Sequence, residues 1–307
     1  MSELNIFSSQ NQYISWMIVN IKIPLIDALR NAKQISWEAV GALNPTTWRN
    51  GRPFVVTFTG GMGAQIISAA IYFRLKEKGR KVYADLTYFE KSFHVAVEGN
   101  PGDISQWDWQ LQSFDLFPES FEMLPKLHRS KYKLIRDGRI KSTLGMRALS
   151  LQSIQSYFIG HQGIEDILPE IFHKNYLCIH IRRGDYVNVA THMVSDDDFI
   201  EIARKVTGLI SGVVIVSDSI ISDSFRQAIL GMHQNALFLD KVDAVTAHRV
   251  MRNARVLICS NSQFSLVAAL LNRSALVIMP KKWFGDKHQK LATPISELCN
   301  FQILKSN

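Results

Sequence analysis

The sequence predicts an α/β protein with parallel sheets covered by helices on both faces. Two observations carry that prediction. From about residue 176 onward, short apolar runs alternate with helix-like segments, as strand-crossover-strand units require. Near residue 54 a strand-like run, a glycine loop, a helical pattern and a second strand-like run follow one another, which makes one complete βαβ unit.

Taken in order, residues 1–50 form an extension rich in apolar and aromatic residues that ends in the turn-like NPTTWRNGRP. FVVTF at 54–58 suits a buried strand. After TGGMGAQ, Ile67, Ile71 and Leu75 recur at helical spacing until Gly79 stops the helix and KVYAD resumes a strand. Residues 99–155 read as an irregular region with short helices, marked by Trp107, Trp109, Phe114 and Phe117. Apolar runs at 176–181, 213–216, 237–239, 256–259 and 275–279 then alternate with helical segments at 198–207, 222–230, 243–253 and 263–271. The expected division is a 1–50 extension, a 51–160 half with the glycine loop, and a 161–307 half.

Composition narrows the function. The 307 residues are 47% apolar and 20% charged, the balance of a soluble globular chain. Lys and Arg outnumber Asp and Glu by 35 to 27, giving +8, which favours polyanionic or phosphorylated partners. There is no long basic run and no zinc-finger or RNA-motif signature, so nucleic acid is not the expected partner. Cys178, Cys259 and Cys299 are widely spaced and read as buried thiols in a reducing compartment. Residues 13–29 are the candidate for membrane contact. Asn20, Lys22 and Pro24 interrupt them, so they read as a core or interfacial helix rather than a span.

The chemistry concentrates at strand ends. In CIHIRRGDY, residues 178–186, strand alternation turns Ile179 and Ile181 one way and His180 and Arg182 the other. Arg182 and Arg183 repel each other, so an anion is expected against at least one. Gly184 allows a tight turn, and Asp185 follows in the same loop; a surface Arg-Asp network with a core histidine is the plainer alternative. The loop holding Gly61 and Gly63 lets backbone approach a ligand at a helix N-terminus, or simply turns the chain into that helix. In CSNSQFSLVAALL, Ser260 to Ser262, with Asn261 between them, would cap an apolar helix whose exposed amides suit a phosphate, although N-capping alone accounts for these residues. Asp218 lies at another strand end, facing either a ligand or the helix that begins near Ser222. Asp196, Asp197 and Asp198 read as helix N-terminal acids rather than a cation site. No paired histidine spacing or G-x-S-x-G elbow points to a metallohydrolase or serine hydrolase.

Together GGMGAQ, HIRRGDY, the strand ending in SDS, and SNSQFSLVAALL followed by VIMPKKWF resemble the alpha-1,2-fucosyltransferases. HIRRGDY fits that family's H-x-R-R-x-D motif at every fixed position. The resemblance implies a GT-B-like fold, with two Rossmann-type domains facing a central cleft, the acceptor on the 51–160 side and the donor bound mainly by 161–307. It implies inverting transfer of fucose from GDP-fucose, the donor substrate, with no obligatory cofactor or metal, to a galactose-type hydroxyl on an oligosaccharide or lipid-linked glycan. Arg182 would contact the β-phosphate, His180 would lie near the nucleoside, and Ser262 with its neighbouring amides would cradle the diphosphate. Asp185 is the first choice for the base that takes the acceptor's proton, and Asp218 the reserve. The chain departs from the family at Ala64, where asparagine is usual, at Ser219, where a second aspartate is usual, and at Thr246-Ala247-His248, where an acidic residue is usual; Asp243 stands one turn earlier.

The expected setting is the cytoplasm, with peripheral contact at the inner face of a bacterial membrane. Two other readings stay open: a related transferase using another nucleotide sugar, and a nonenzymatic binder of anionic glycan or nucleic acid.

Overall fold

The computed structural model describes residues 52–90, 108–124, 133–135, 151–158, 163–173, 175–188, 193–206, 210–272, 275–280 and 301–304. Contacts divide the chain into Met1–Arg52 and Pro53–Asn307, and the second unit holds every element below. The candidate membrane segment at 13–29 lies outside the described residues, as does Cys299. Among the described residues, no helix is long and apolar enough to cross a membrane.

The first sheet contains β1 (Phe54–Thr57), β2 (Val82–Asp85) and β3 (Lys133–Ile135) in the order β2-β1-β3, with helix α1 (Met62–Glu77) joining β1 to β2. Both pairings are parallel. Helix α2 (Leu151–Tyr157) leads to the second sheet. There β4 (Tyr176–Ile181), α3 (Asp196–Val206), β5 (Gly212–Ser217), α4 (Asp223–Met232), β6 (Ala236–Asp240), α5 (Ala244–Asn253), β7 (Val256–Ile258), α6 (Gln263–Leu271), β8 (Leu276–Pro280) and β9 (Phe301–Leu304) follow in turn. The strand order is β6-β5-β4-β7-β8-β9, parallel at every pairing. The alternating apolar runs thus become two parallel α/β sheets, as the predicted class requires. Strands β3 and β9 were not expected: β3 falls within the region read as irregular, and β9 beyond the last apolar run.

Strand β4 is buried along its whole length, which is why its sequence runs apolar instead of alternating. Its two faces feed different cores. Leu177, Ile179 and Ile181 pack with Phe199 and Ile202 of α3 and Phe225 and Ile229 of α4. Cys178 belongs to a larger cluster that continues through Leu266 and Leu270 of α6 and Ile66 and Ile71 of α1 to Val56 and Ala84 of the first sheet. Helices α1 and α6 are apolar around most of their circumference because they are covered on most sides. Helix α3 buries only the stripe Phe199, Ile202, Ala203 and Val206.

The glycine loop places α1 against α6. Gly60 has φ +68, a left-handed conformation that favours glycine. Gly63 serves close packing: a Cβ there would stand 2.6 Å from the backbone nitrogen of Phe264 and 2.8 Å from Gln263 C and Phe264 Cα. Backbone cannot rotate away as a side chain can. Replacing Gly63 by alanine is therefore expected to destabilise the protein by about 3 kcal/mol, the upper end for overpacking, measured as a lower urea midpoint at unchanged slope. A midpoint equal to wild type would show that the two helices part without cost.

Candidate active site

β4 lies between β5 and β7 in the sheet, so residues past its end face those past β5. Ile181 of β4 pairs with Ser217 of β5, which brings Arg182 opposite Asp218. Arg182 Nη1 stands 2.9 Å from Asp218 Oδ2. No hydrogen bond reaches that oxygen, so charge alone holds the contact. The other oxygen, Oδ1, accepts the backbone N–H of Arg183 at 2.9 Å and the Ser219 hydroxyl at 3.2 Å. Both side chains of the pair are partly exposed, 25% for Arg182 and 20% for Asp218, so the guanidinium remains within reach of solvent. It also lies over the Tyr186 ring, 5.5 Å from the centroid.

Asp218 therefore does not cap the following helix. Ser222 does, its hydroxyl accepting from Phe225 N at 3.3 Å.

Arg183 points elsewhere. It donates to the Val194 carbonyl at 2.8 Å, forms an ion pair with Asp196 at the start of α3, and covers Phe199. Each of the two neighbouring guanidiniums thus faces a carboxylate of the fold, Asp218 for Arg182 and Asp196 for Arg183. Asp196 also accepts from the Ser222 hydroxyl, and Asp198 shares reciprocal bonds with Ser195 at the helix start. These are helix-terminal roles, in line with the reading of the three aspartates as N-terminal acids. Asp185 lies in the 3-10 turn Gly184–Asn188; its side chain is outside the described part of the structure.

His180 is buried, and its Nδ1 makes a 2.7 Å hydrogen bond with the Ser260 hydroxyl. Burial, aided by the nearby Arg182 charge, pushes its pKa down to about 3, so the ring is neutral at pH 7. Its centroid is 5.5 Å from that of Phe264. Phe264 lies in turn 5.3 Å from His248, and His248 stands edge-on to Phe114 at 5.9 Å. His248 is buried with neither ring nitrogen hydrogen-bonded, and burial first, then the Arg252 and His180 charges, push its pKa well down.

Ser262 caps α6 by accepting from Phe264 N at 3.1 Å, and Ser265 donates to the carbonyls of Ser260 and Ser262. Asn261 is buried beside them. At the glycine loop the first amide of α1, Met62 N, donates to the Gln110 side-chain carbonyl at 2.8 Å. Gln65 bonds the carbonyls of Gly60 and Asp108 and accepts from Gln110 N. Gly61 thus adjoins an amide already engaged by Gln110, and Gly63 faces α6. Asp243 caps α5: burial works to raise its pKa, but the hydrogen bonds from Thr246, together with those from the Val245 and Asp243 backbone, hold it below the usual carboxylate range.

The structure thus brings Arg182, Asp218 and Gly184 together, and separately His180, Ser260, Phe264 and His248. Gln110 and His248 were not among the expected site residues. Ser260, read with Asn261 and Ser262 as the helix cap, bonds His180 instead, and Ser262 alone caps α6. Gln110 has no local signal. Among the described residues, no group of three His, Cys, Asp or Glu side chains is placed to hold a metal ion.

The protein is thus a parallel α/β protein with a partly exposed arginine just past the end of an inner strand, and in such folds ligands bind at the strand ends. The family model described as "Glycosyl transferase family 11" matches residues 130–296, more than half of the chain and all of the second-sheet site. The protein belongs to glycosyltransferase family 11. A search of curated proteins finds no match. Among solved structures, the chain is similar to NodZ alpha-1,6-fucosyltransferase soaked with GDP-fucose at 14% identity and TM-score 0.41, over 72% of this chain and 92% of that one. It is similar to POFUT1 in complex with GDP-fucose at 14% and 0.42, over 74% and 97%. It is also similar to the E. coli heptosyltransferase WaaC with ADP at 9% and 0.39, over 74% and 87%.

Proposed function

We propose that this glycosyltransferase moves fucose from GDP-fucose, with inversion, to a galactose-type hydroxyl on a glycan, making an alpha-1,2 linkage in bacterial surface polysaccharide. The observation that carries the reading is Arg182 at the carboxyl end of β4, partly exposed and held beside Asp218, in the motif HIRRGDY.

In this reading the acceptor oxygen attacks the anomeric carbon, the bond from that carbon to the β-phosphate oxygen breaks, and GDP leaves. Asp185 takes the acceptor's proton. Arg182 and the amides at the start of α6 stabilise the charge that grows on the diphosphate. Asp218 is better suited to holding Arg182 than to proton transfer, because its carboxylate is already engaged by Arg182 and by Arg183 N. The boundary near residue 160 belongs to the same proposal, with the acceptor on the first-sheet side. So does a cytoplasmic, peripherally membrane-bound setting, in which a lipid-linked acceptor would be within reach.

A second reading keeps the reaction class and changes the base of the donor. His248 favours it: the stretch Thr246-Ala247-His248, where the fucosyltransferase pattern has an acidic residue, has none, and it holds a buried imidazole with two unbonded nitrogens.

Calorimetric titration with GDP, UDP and ADP, repeated in EDTA, separates the readings. Selective GDP binding that survives EDTA is the expected result. Preference for UDP or ADP moves the donor, and no nucleotide binding removes the proposal.

A further inference from the structure

Position 184 is glycine for a reason the turn itself does not supply. Among the described glycines, positive φ occurs at Gly60 and Gly79, so the backbone at Gly184 is open to any L-residue. The space is what is missing. A Cβ on Gly184 would stand 2.6 Å from Asp218 Oδ2, 3.5 Å from its Cγ and 3.9 Å from Arg182 Cζ. The carboxylate of Asp218 lies in the volume that any other residue at 184 would fill.

That placement is tightly specified. The β4–β5 register puts residue 218 opposite residue 182, Oδ1 is anchored by Arg183 N, and Oδ2 lies against Gly184 with the Arg182 guanidinium 2.9 Å away. Moving the carboxylate would move the charge that holds Arg182. We propose that Gly184 and Asp218 act as one positioning unit for Arg182: the missing side chain at 184 seats the carboxylate, and the carboxylate aims the guanidinium at the donor's phosphate. Asp218 touches Arg182 rather than the reacting atoms, so it is a positioning residue. The inference rests on the proposed use of Arg182 to bind the donor diphosphate.

The experiment compares GDP binding and GDP-fucose turnover, read as GDP release, in wild type, R182A, D218N, G184A and the double variant G184A/D218N. D218N keeps the shape and the bond from Arg183 N but removes the charge. G184A keeps the charge and displaces it. D218N and G184A are each expected to weaken GDP about tenfold, to raise the donor KM by a similar factor while kcat changes by about twofold or less, and to melt within a few degrees of wild type. The double variant is expected to bind no more weakly than the worse single one, because both changes break the same contact. Three outcomes overturn the unit: D218N and G184A binding GDP as wild type does while R182A has lost it; losses that add in the double variant; or losses that appear only with a matching fall in melting temperature. If R182A itself binds GDP normally, the donor reading fails and this inference with it. Should G184A not fold, D218N alone decides through its split between KM and kcat.

Discussion

With Arg182 replaced by alanine, GDP binding is expected to fall by about 100-fold or more, the effect of removing one partner from a charge pair with phosphate. The same change at Arg183 is expected to leave GDP affinity within about threefold of wild type and to appear instead as lost stability, because an interaction already made inside the fold is removed. The contrast follows from where the two guanidiniums go. Arg182 is partly exposed at the strand end, beside the Asp218 carboxylate. Arg183 is spent on the Val194 carbonyl, the Asp196 carboxylate and the Phe199 ring. Losing it leaves Asp196 at the N-terminus of α3, where the helix dipole still favours a carboxylate, so the damage should stay local. Paired titrations of R182A and R183A with GDP, alongside their melting curves, check this. Equal affinities in the two variants would mean that adjacency in sequence, not the split in direction, decides what each arginine does.

Much of the fold was legible because its signal is local. The six residues of β4 are buried on both faces and read as an uninterrupted apolar run; α1 and α6 are apolar nearly all round for the same reason. Strand β3 was not legible. Its three residues, Lys133 to Ile135, are half-buried and carry no periodicity, and their order depends on pairing with β1, about eighty positions earlier.

The site divides the same way. HIRRGDY announced an anion-handling strand end, since two adjacent arginines need an explanation wherever they stand. The partner of each did not follow from the motif. Asp218 reaches Arg182 only through the β4–β5 register, and Asp196 reaches Arg183 from the start of the next helix. The expectation that His180 and Arg182 face one ligand together rested on strand alternation, which stops with the strand at Ile181. Past that point Arg182 turns to β5, while His180 stays under α6, bonded to Ser260. The glycines were legible as places needing no side chain, but not for what fills the space: backbone of Phe264 at Gly63, and a carboxylate at Gly184.

The two buried histidines give the protein a steep acid limb. A histidine free in the unfolded chain titrates near 6.5. In the folded protein burial first, then the Arg182 charge, lower His180 to about 3, and burial first, then the charges of Arg252 and His180, lower His248 well below its usual value. Folded pKa values below the unfolded ones mean that the unfolded state binds more protons throughout this window, so stability rises with pH up to about 6.5 and is lost as pH falls below it. For His180 alone the loss between pH 6.5 and 5 is about 2 kcal/mol, and His248 adds a loss of the same sign. Among the described residues, Ser260, Phe264 and Phe114 carry no charge beside the pair, and the charges that couple to it, Arg182 and Arg252, are positive. Urea unfolding at pH 7.5, 6.5, 5.5 and 5.0 should therefore show a falling midpoint, and His248→Phe provides the test of origin. Phenylalanine fills the space between Phe114 and Phe264 and removes two unbonded buried nitrogens, so the variant should be at least as stable as wild type at pH 7.5 and lose less stability on acidification. A variant that follows the wild-type pH curve would show that His248 does not contribute to the acid limb.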